Sequence, residues 1–361
     1  MKRREFLKAA ALGAAACVMP RGLEAAEAIG AAAGAGRKPN IIFILADDLG
    51  LGDVGCCGSD HYKTPRLDAL AAGGIRFEQC FSTPLCGPTR SQIMTGRYPF
   101  RTGMISNQSG EVLDRANETM MPKVLKPAGY VTAHVGKWHQ LPLEPGDWGF
   151  DEYLRFSRSG KYWREQDHTY TLNGKKTDLP EGKYLPDVMH EFLVDFITRH
   201  REQPFYVYYS MSHIHTPIMR TPESTTTSDQ YADNISYMDK LVGKLADELD
   251  RLKLRDNTLI VFIGDNGTAG AVHAETSTVH GKQLSGRKGK MLEGGSRVPM
   301  IVNWPGTTPS GKVSRDLIDV SDFFPTFAAL AGAERPKGVT IDGRDFSPQL
   351  KGQKGNPREW V

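Results

Sequence analysis

Cysteine is scarce, with five residues in a chain of 361. Cys56 and Cys57 are adjacent, which strains any bridge between them, and Cys17, Cys80 and Cys86 supply no spaced, even set. No disulfide framework is expected. An excess of charge of one sign is also missing: 45 Lys and Arg stand against 42 Asp and Glu, for a net charge of +3. The concentrated basic face of a nucleic-acid binder is excluded on that balance. Beyond the N-terminal stretch no apolar run approaches the ~18 residues of a membrane span. The D-x-D-x-D-G spacing of an EF-hand loop does not occur either. What remains is a length that suits one large α/β domain with a smaller appendage, or two domains.

The chain opens with Lys2-Arg3-Arg4-Glu5-Phe6-Leu7-Lys8, an Ala-rich apolar run follows, and this order matches a twin-arginine export signal. Residues 1–30 are therefore expected to be removed, with Ala26-Glu27-Ala28 as one cleavage site. The implied partner is the twin-arginine translocase, and the implied location is periplasmic or secreted. Cys17 leaves a lipid-anchored alternative open, although Ala14 stands where a large aliphatic residue is expected.

Two apolar runs of strand length end in oxygen-bearing side chains. Ile41 to Ala46 leads into Asp47-Asp48-Leu49-Gly50, and Leu259 to Ile263 leads into Gly264-Asp265-Asn266-Gly267. Uninterrupted apolar runs predict parallel strands buried on both faces, and open α/β sheets bind ligands at the carboxyl ends of such strands. Adjacent carboxylates there repel each other unless a cation lies between them, so Asp47 and Asp48, with Asp265 and Asn266, form a candidate hard-cation site. Taken singly, each motif also reads as a solvated Asx turn.

Between them lies Cys86-Gly87-Pro88-Thr89-Arg90. Gly87 and Pro88 bar Cys86 from a helix interior, so the cysteine is expected on a turn that feeds a helix, with Arg90 one turn on. Lys137-Trp138-His139 ends a short strand predicted over 129–136. A strand at 204–209 delivers His213-Ile214-His215-Thr216-Pro217. Further on, Lys288 and Lys290 precede Glu293-Gly294-Gly295. Apolar spacing predicts helices over 64–73, 117–125, 188–197 and 231–252 and a strand over 300–305. Asn173-Gly174 predicts a hairpin turn, within a Tyr-, Lys- and Arg-rich stretch to which no site residue is assigned.

The pattern C-x-P-[S/T]-R continued by Thr95-Gly96 resembles the signature of the type I sulfatases. Gly129-Tyr130-x-Thr132 through Gly136-Lys137-Trp138-His139 resembles their second signature, and 286–299 a further family stretch. Residues 319–326 resemble a helix of the family, so a helix is expected there. The resemblance runs from about residue 39 to the end, and it implies an alkaline-phosphatase-like α/β fold with a mostly parallel central sheet sandwiched by helices. It implies a catalytic domain over 37–361, with the family's smaller C-terminal subdomain largely missing. It further implies a sulfuric ester hydrolase acting on a sulfated small molecule or glycan, and a Ca²⁺ held by Asp47, Asp48, Asp265, Asn266 and the converted Cys86. Cys86 is expected to become formylglycine through dedicated maturation machinery. As a hydrated aldehyde, residue 86 offers one hydroxyl to attack sulfur and a second to expel sulfate, where a thiolate would leave a stubborn ester.

In the same scheme Arg90 holds the oxygen of residue 86, and Lys137 and Lys288 bind sulfate oxygens. His139 takes a proton from residue 86, and His215 protonates the leaving group. Ile214 stands where the family carries proline, which leaves His213 as the alternative to His215, just as Lys290 is the neighbour of Lys288. The rival readings are a phosphonate monoester or phosphodiester hydrolase of the same superfamily and a non-catalytic binder of sulfated glycans.

Overall fold

Every residue of Asn40–Ala46 (β1) is buried, as an unbroken apolar run requires when both faces of its strand are covered. The computed structural model describes residues 37–361 except 110–111, 139–140 and 159. The twin-arginine stretch, Cys17 and His139 therefore lie outside the described residues.

The remaining strands of the main sheet, in chain order, are β2 (Ile75–Phe81), β3 (Val131–Lys137), β4 (Glu152–Phe156), β5 (Thr169–Leu172), β6 (Lys175–Asp178), β7 (Phe205–Ser210) and β8 (Thr258–Gly264). A separate two-stranded ribbon, β9 (Thr278–Val279) with β10 (Lys282–Gln283), precedes the last two, β11 (Met300–Asn303) and β12 (Lys312–Asp319). The ten-stranded order is β12-β2-β11-β8-β1-β7-β3-β4-β5-β6. Its centre, β8-β1-β7-β3-β4, is parallel throughout. Only β11 on one side and the β5/β6 hairpin on the other break the direction. The carboxyl ends of the parallel strands thus share one edge, where Asp47, Lys137, Ser210 and Asp265 fall.

Helices cover both faces. Pro65–Ala72 (α1), Leu185–Arg199 (α3) and Gln230–Arg251 (α4) pack on the face that receives Ile42 and Ile44. Phe323–Ala331 (α5) packs on the other, with Ile41, Phe43 and Leu45. Alternate residues of one strand feed two cores, as the period of two demands. Cys86–Thr95 (α2) differs from all of these: its ten residues are buried although half of them are polar, so it is held by specific bonds rather than by an apolar stripe. Thr95 Oγ1 donates to the Ser91 carbonyl and Gln92 Nε2 to Asp319 Oδ1. Gly96 ends the helix in the left-handed conformation.

Most expected elements are present with shifted ends. The helix expected from Asn117 begins only at Met121, because Asn117 bonds Asp114 in a turn and Pro122 starts the helix. The helix expected over 319–326 is a 3-10 turn followed by α5, which runs on to Ala331. At the predicted hairpin, Asn173 and Gly174 have φ values of 47° and 81°, the left-handed pair that joins β5 to β6.

Candidate active site

In a strand, neighbouring side chains point to opposite faces, so Asp47 and Asp48 would not converge if β1 simply continued. Asp48 adopts φ 63°, a left-handed conformation, which breaks the alternation and brings both carboxylates to the same point. Backbone bonds pin this turn: Asp47 N–H donates to the His213 carbonyl (2.7 Å), its own carbonyl accepts from Ile214 (2.6 Å), and Asp265 N–H reaches the Ala46 carbonyl (2.9 Å). The ends of β8, β1 and β7 are thereby fastened together. Asp265 Oδ1 also accepts the Asp48 N–H at 3.0 Å, and Asn266 Nδ2 donates to Asp48 Oδ1 at 2.9 Å.

Cys86 is the first residue of α2, the turn into a helix expected from Gly87-Pro88. Its Sγ lies 3.3 Å from Asn266 Oδ1, 3.5 Å from Asp47 Oδ1 and 3.8 Å from Asp48 Oδ1. One turn on, Arg90 donates to Asp265 Oδ2 at 2.7 Å and to Ser210 Oγ, and lies 3.5 Å from Asp47 Oδ1. Lys137 Nζ contacts both oxygens of Asp47, at 2.9 and 2.8 Å. Lys288 Nζ sits 2.5 Å from Asp48 Oδ1, and its loop is fixed by Lys288 N–H to the Thr268 carbonyl and Gly289 N–H to the Pro84 carbonyl. Lys290 is exposed.

The two histidines separate cleanly. His215 Nε2 faces Asp48 Oδ2 at 3.5 Å, whereas His213 is fully buried against the Tyr184 hydroxyl (3.0 Å). Burial lowers the His213 pKa to about 3, so it stays neutral. Of the two candidates, the structure brings His215 to the cluster despite Ile214. The expected residues Asp47, Asp48, Cys86, Arg90, Lys137, His215, Asp265, Asn266 and Lys288 converge; His139 lies outside the described residues.

Burial and the crowded charges shift the groups of the site in opposite directions. Burial first, then Asp265, Asp47 and Asp48, hold the Cys86 thiol well above its ordinary pKa against the pull of Lys137, so an unmodified Cys86 is a protonated, poor nucleophile. Burial opposes ionisation of Asp47, but Lys137, His215, Arg90 and Lys288 together hold its carboxyl well below the usual range. Asp265 moves up, through burial and the neighbouring Asp47, even with Arg90 beside it. Asp48 Oδ2 is buried without a hydrogen-bond partner. Ligand atoms of Asp47, Asp48, Cys86 and His215 lie within 4.8 Å of one another. Crowded carboxylates, an amide oxygen and an unsatisfied carboxylate oxygen suit a hard divalent cation such as Ca²⁺.

Several contributors were not expected. Ser210, beside Arg90, ends β7 next to the end of β1, and the strand-end rule that found Asp47 applies to it equally. Asn107 Oδ1 accepts the Gly87 N–H at 2.9 Å and steadies the start of α2, with no signal in its flanks. Asp53, fully buried, accepts the Gly50 N–H (2.8 Å) and the Thr268 hydroxyl (2.6 Å), tying the loop after Asp48 to the loop after Asn266.

Comparison with known proteins agrees with this geometry. The Sulfatase family model matches residues 39–333. The chain is 33% identical to N-acetylgalactosamine-6-sulfatase of Canis lupus familiaris, over 89% of this chain and 67% of that protein. To arylsulfatase A of Homo sapiens it is 34% identical, over 94% and 73%. The crystal structure of Ps i-CgsB in complex with k-i-k-neocarrahexaose superposes with a TM-score of 0.76 at 31% identity, covering 88% of this chain and 77% of that one. Among the described residues no helix is long and apolar enough to cross a membrane. A helix-borne cysteine among strand-end carboxylates and lysines, the family match over most of the chain and relatives above 30% identity lead to one assignment: the chain belongs to the sulfatase family of the alkaline phosphatase superfamily and is a sulfuric ester hydrolase.

Proposed function

We propose that the protein removes sulfate from a sulfated glycan, using a formylglycine made from Cys86 and a Ca²⁺ held by Asp47, Asp48, Asp265 and Asn266, with residue 86 beside them. The observation that carries this reading is the convergence of Asp47, Asp48 and Asn266 on the Cys86 side chain at the common strand edge, with Asp265 joined to them through the Asp48 N–H and Arg90. A formylglycine there supplies, as its hydrate, one hydroxyl for sulfur and one for release. Bound Ca²⁺ supplies positive charge against sulfate oxygens.

The chain's own groups divide the remaining work. Three carboxylates and the three cations Arg90, Lys137 and Lys288 cancel in formal charge, so a divalent ion leaves the cluster with two positive charges, matching a departing sulfate dianion. Lys137 and Lys288 hold sulfate oxygens, and Arg90 orients residue 86. His215 Nδ1 lies 2.6 Å from the Thr216 carbonyl and donates there; as the imidazolium, His215 carries a second proton on Nε2, the atom facing Asp48, and gives that proton to the leaving-group oxygen. His139 is assigned by its motif to accept the proton from residue 86. A glycan is favoured because one relative is named for N-acetylgalactosamine-6-sulfate chemistry and one solved structure holds a neocarrahexaose. Export by the twin-arginine translocase and maturation by formylglycine-generating machinery complete the proposal.

The test joins two measurements on protein from its own host. The mass of the tryptic fragment Phe77 to Arg90 is expected to be lower by the thiol-to-aldehyde change at residue 86, with Cys80 intact. Rates on one leaving group, carried as sulfate monoester and as phosphate diester, are expected to favour the sulfate. A diester turned over faster by orders of magnitude would assign the rival chemistry, and a persistent thiol in an active enzyme would remove formylglycine from the mechanism.

A further inference from the structure

His215 lies on a loop, and the carbonyls that shape this loop are engaged by the segment that connects β4 to β5. Tyr162, fully buried, places its hydroxyl 2.9 Å from the His215 carbonyl and 3.0 Å from the Ser212 carbonyl. Gly160, at φ 60°, packs so closely that an added Cβ would stand 2.2 Å from the Thr216 carbonyl oxygen and 2.7 Å from that of His215. The Thr216 oxygen is also the one that orients the imidazole through Nδ1. Trp163 Nε1 donates to the Arg220 carbonyl at 2.7 Å and holds the far end of the same loop.

The brace is itself rigid. Gln166 Oε1 accepts the N–H groups of Tyr162 (2.8 Å) and Trp163 (3.0 Å), while its Nε2 donates to the Gly160 carbonyl (2.8 Å). Tyr162 stacks on Tyr184, 6.0 Å between centroids at 12°, and the Tyr184 hydroxyl meets His213. The loop from 212 to 220 is therefore held at several points by 160–166, a stretch with no carboxylate or imidazole aimed at the cluster.

We propose that Tyr162 is a positioning residue for His215, setting where Nε2 stands relative to the leaving-group oxygen. The inference rests on the reading of His215 as the general acid. A misplaced acid hurts only those esters whose leaving group needs a proton, because an oxygen that departs readily as the anion gains little from it. That selectivity separates positioning from simple loss of stability, which lowers every rate alike.

The decisive experiment compares Tyr162→Phe with the wild type on an alkyl or sugar sulfate and on 4-nitrophenyl sulfate, with kcat, KM and thermal stability read for each. Tyr162→Phe keeps the ring and its stack but removes the bond to the two carbonyls. The expected result is a fall in kcat of about 10-fold or more on the alkyl ester, less than about threefold on the nitrophenyl ester, and little change in KM, given that general acids contribute ~10²–10⁴-fold. Gly160→Ala, which presses on the His215 and Thr216 carbonyls by contact and so shares the His215 carbonyl with the Tyr162 bond, is expected to repeat the pattern. Equal losses on both esters, or no loss, in the two variants overturn the proposal. His215→Ala is the control: if it is selective for the alkyl ester and Tyr162→Phe is not, the brace fails while the acid stands. If His215→Ala itself loses both esters equally, the acid assignment falls and takes the brace with it.

Discussion

Two buried arginines, Arg90 and Arg358, sit among carboxylates in this molecule, and they are satisfied to different degrees. Arg358 bonds both oxygens of Asp322 through Nε (3.0 and 2.8 Å), the Tyr98 hydroxyl through one terminal nitrogen (3.0 Å) and the Asp342 carbonyl through the other (2.9 Å). Asp322 in turn accepts the N–H groups of Asp319 and Arg344. Arg90 engages Asp265 and Ser210, yet its Nε has no hydrogen-bond partner, and neither does Asp48 Oδ2 nearby. A network that closes on itself fixes a fold, whereas a network with unused donors and acceptors around a nucleophile has capacity left for a ligand. Another buried carboxylate, Asp53, is held by an N–H and a hydroxyl rather than by a cation.

This contrast is open to direct attack. Cys86→Ala removes no charge from the open cluster, so it is expected to abolish turnover by at least about 10⁴-fold while the melting temperature stays near that of the wild type; steady-state rates and calorimetry check this, and retained turnover would break the assignment of the nucleophile. Arg358→Met should do the reverse. It strands Asp322 without its cation and is expected to cost about 3–5 kcal/mol of stability, with activity per folded molecule within about twofold. Denaturant titration and active-site counting read both numbers; lost activity in a stably folded variant would erase the distinction between the clusters.

Chelation probes the same difference without mutation. Ca²⁺ at a hundredfold over its Kd is expected to stabilise the protein by about 2.7 kcal/mol, an increment seen in thermal melts before and after chelator and retained in Arg358→Met. No Ca²⁺ effect would leave Asp48 Oδ2, which has no hydrogen-bond partner, without its proposed ligand.

An effect of similar size, confined to higher pH, concerns Asp53. Burial raises its pKa from 3.8 to about 6, although Thr268 and Gly50 bond it. A folded pKa above the unfolded one means that the folded state holds its proton longer, so this contribution is complete below about pH 4 and is lost as pH rises through about 6. Asp53→Asn keeps one carbonyl oxygen for both donors and carries no charge to bury. It is expected to match the wild type near pH 4 and exceed it by roughly 2–3 kcal/mol above pH 6, measured by denaturant unfolding across pH. A gap that did not widen with pH would show that Asp53 is compensated by a charge elsewhere.

What could be read in advance followed from local chemistry. The runs into Asp47-Asp48 and Asp265-Asn266 were legible as buried strands, since apolar continuity and length suffice for that, and parallel strands place their ends on a shared edge. Gly87 and Pro88 likewise put Cys86 at a helix start from covalent geometry alone. The helix start at Met121 and the 3-10 turn before α5 were not legible, because side-chain bonds from Asn117 and Asp319 compete with the helix there.

The amino-acid sequence by itself determined the elements, the order of the strand-end motifs and the residue types of the site. Tertiary structure set His215 and Lys288, rather than their neighbours His213 and Lys290, against Asp48. It also turned Asp48 toward Asp47 and brought in Ser210, Asp53 and the Tyr162 brace. The physical reason is range. Strand and helix choices are settled by neighbours within a few residues, whereas the orientation of a side chain at a strand end depends on bonds from segments tens to hundreds of residues away, such as Tyr162 to His215 and Asp265 to Asp48.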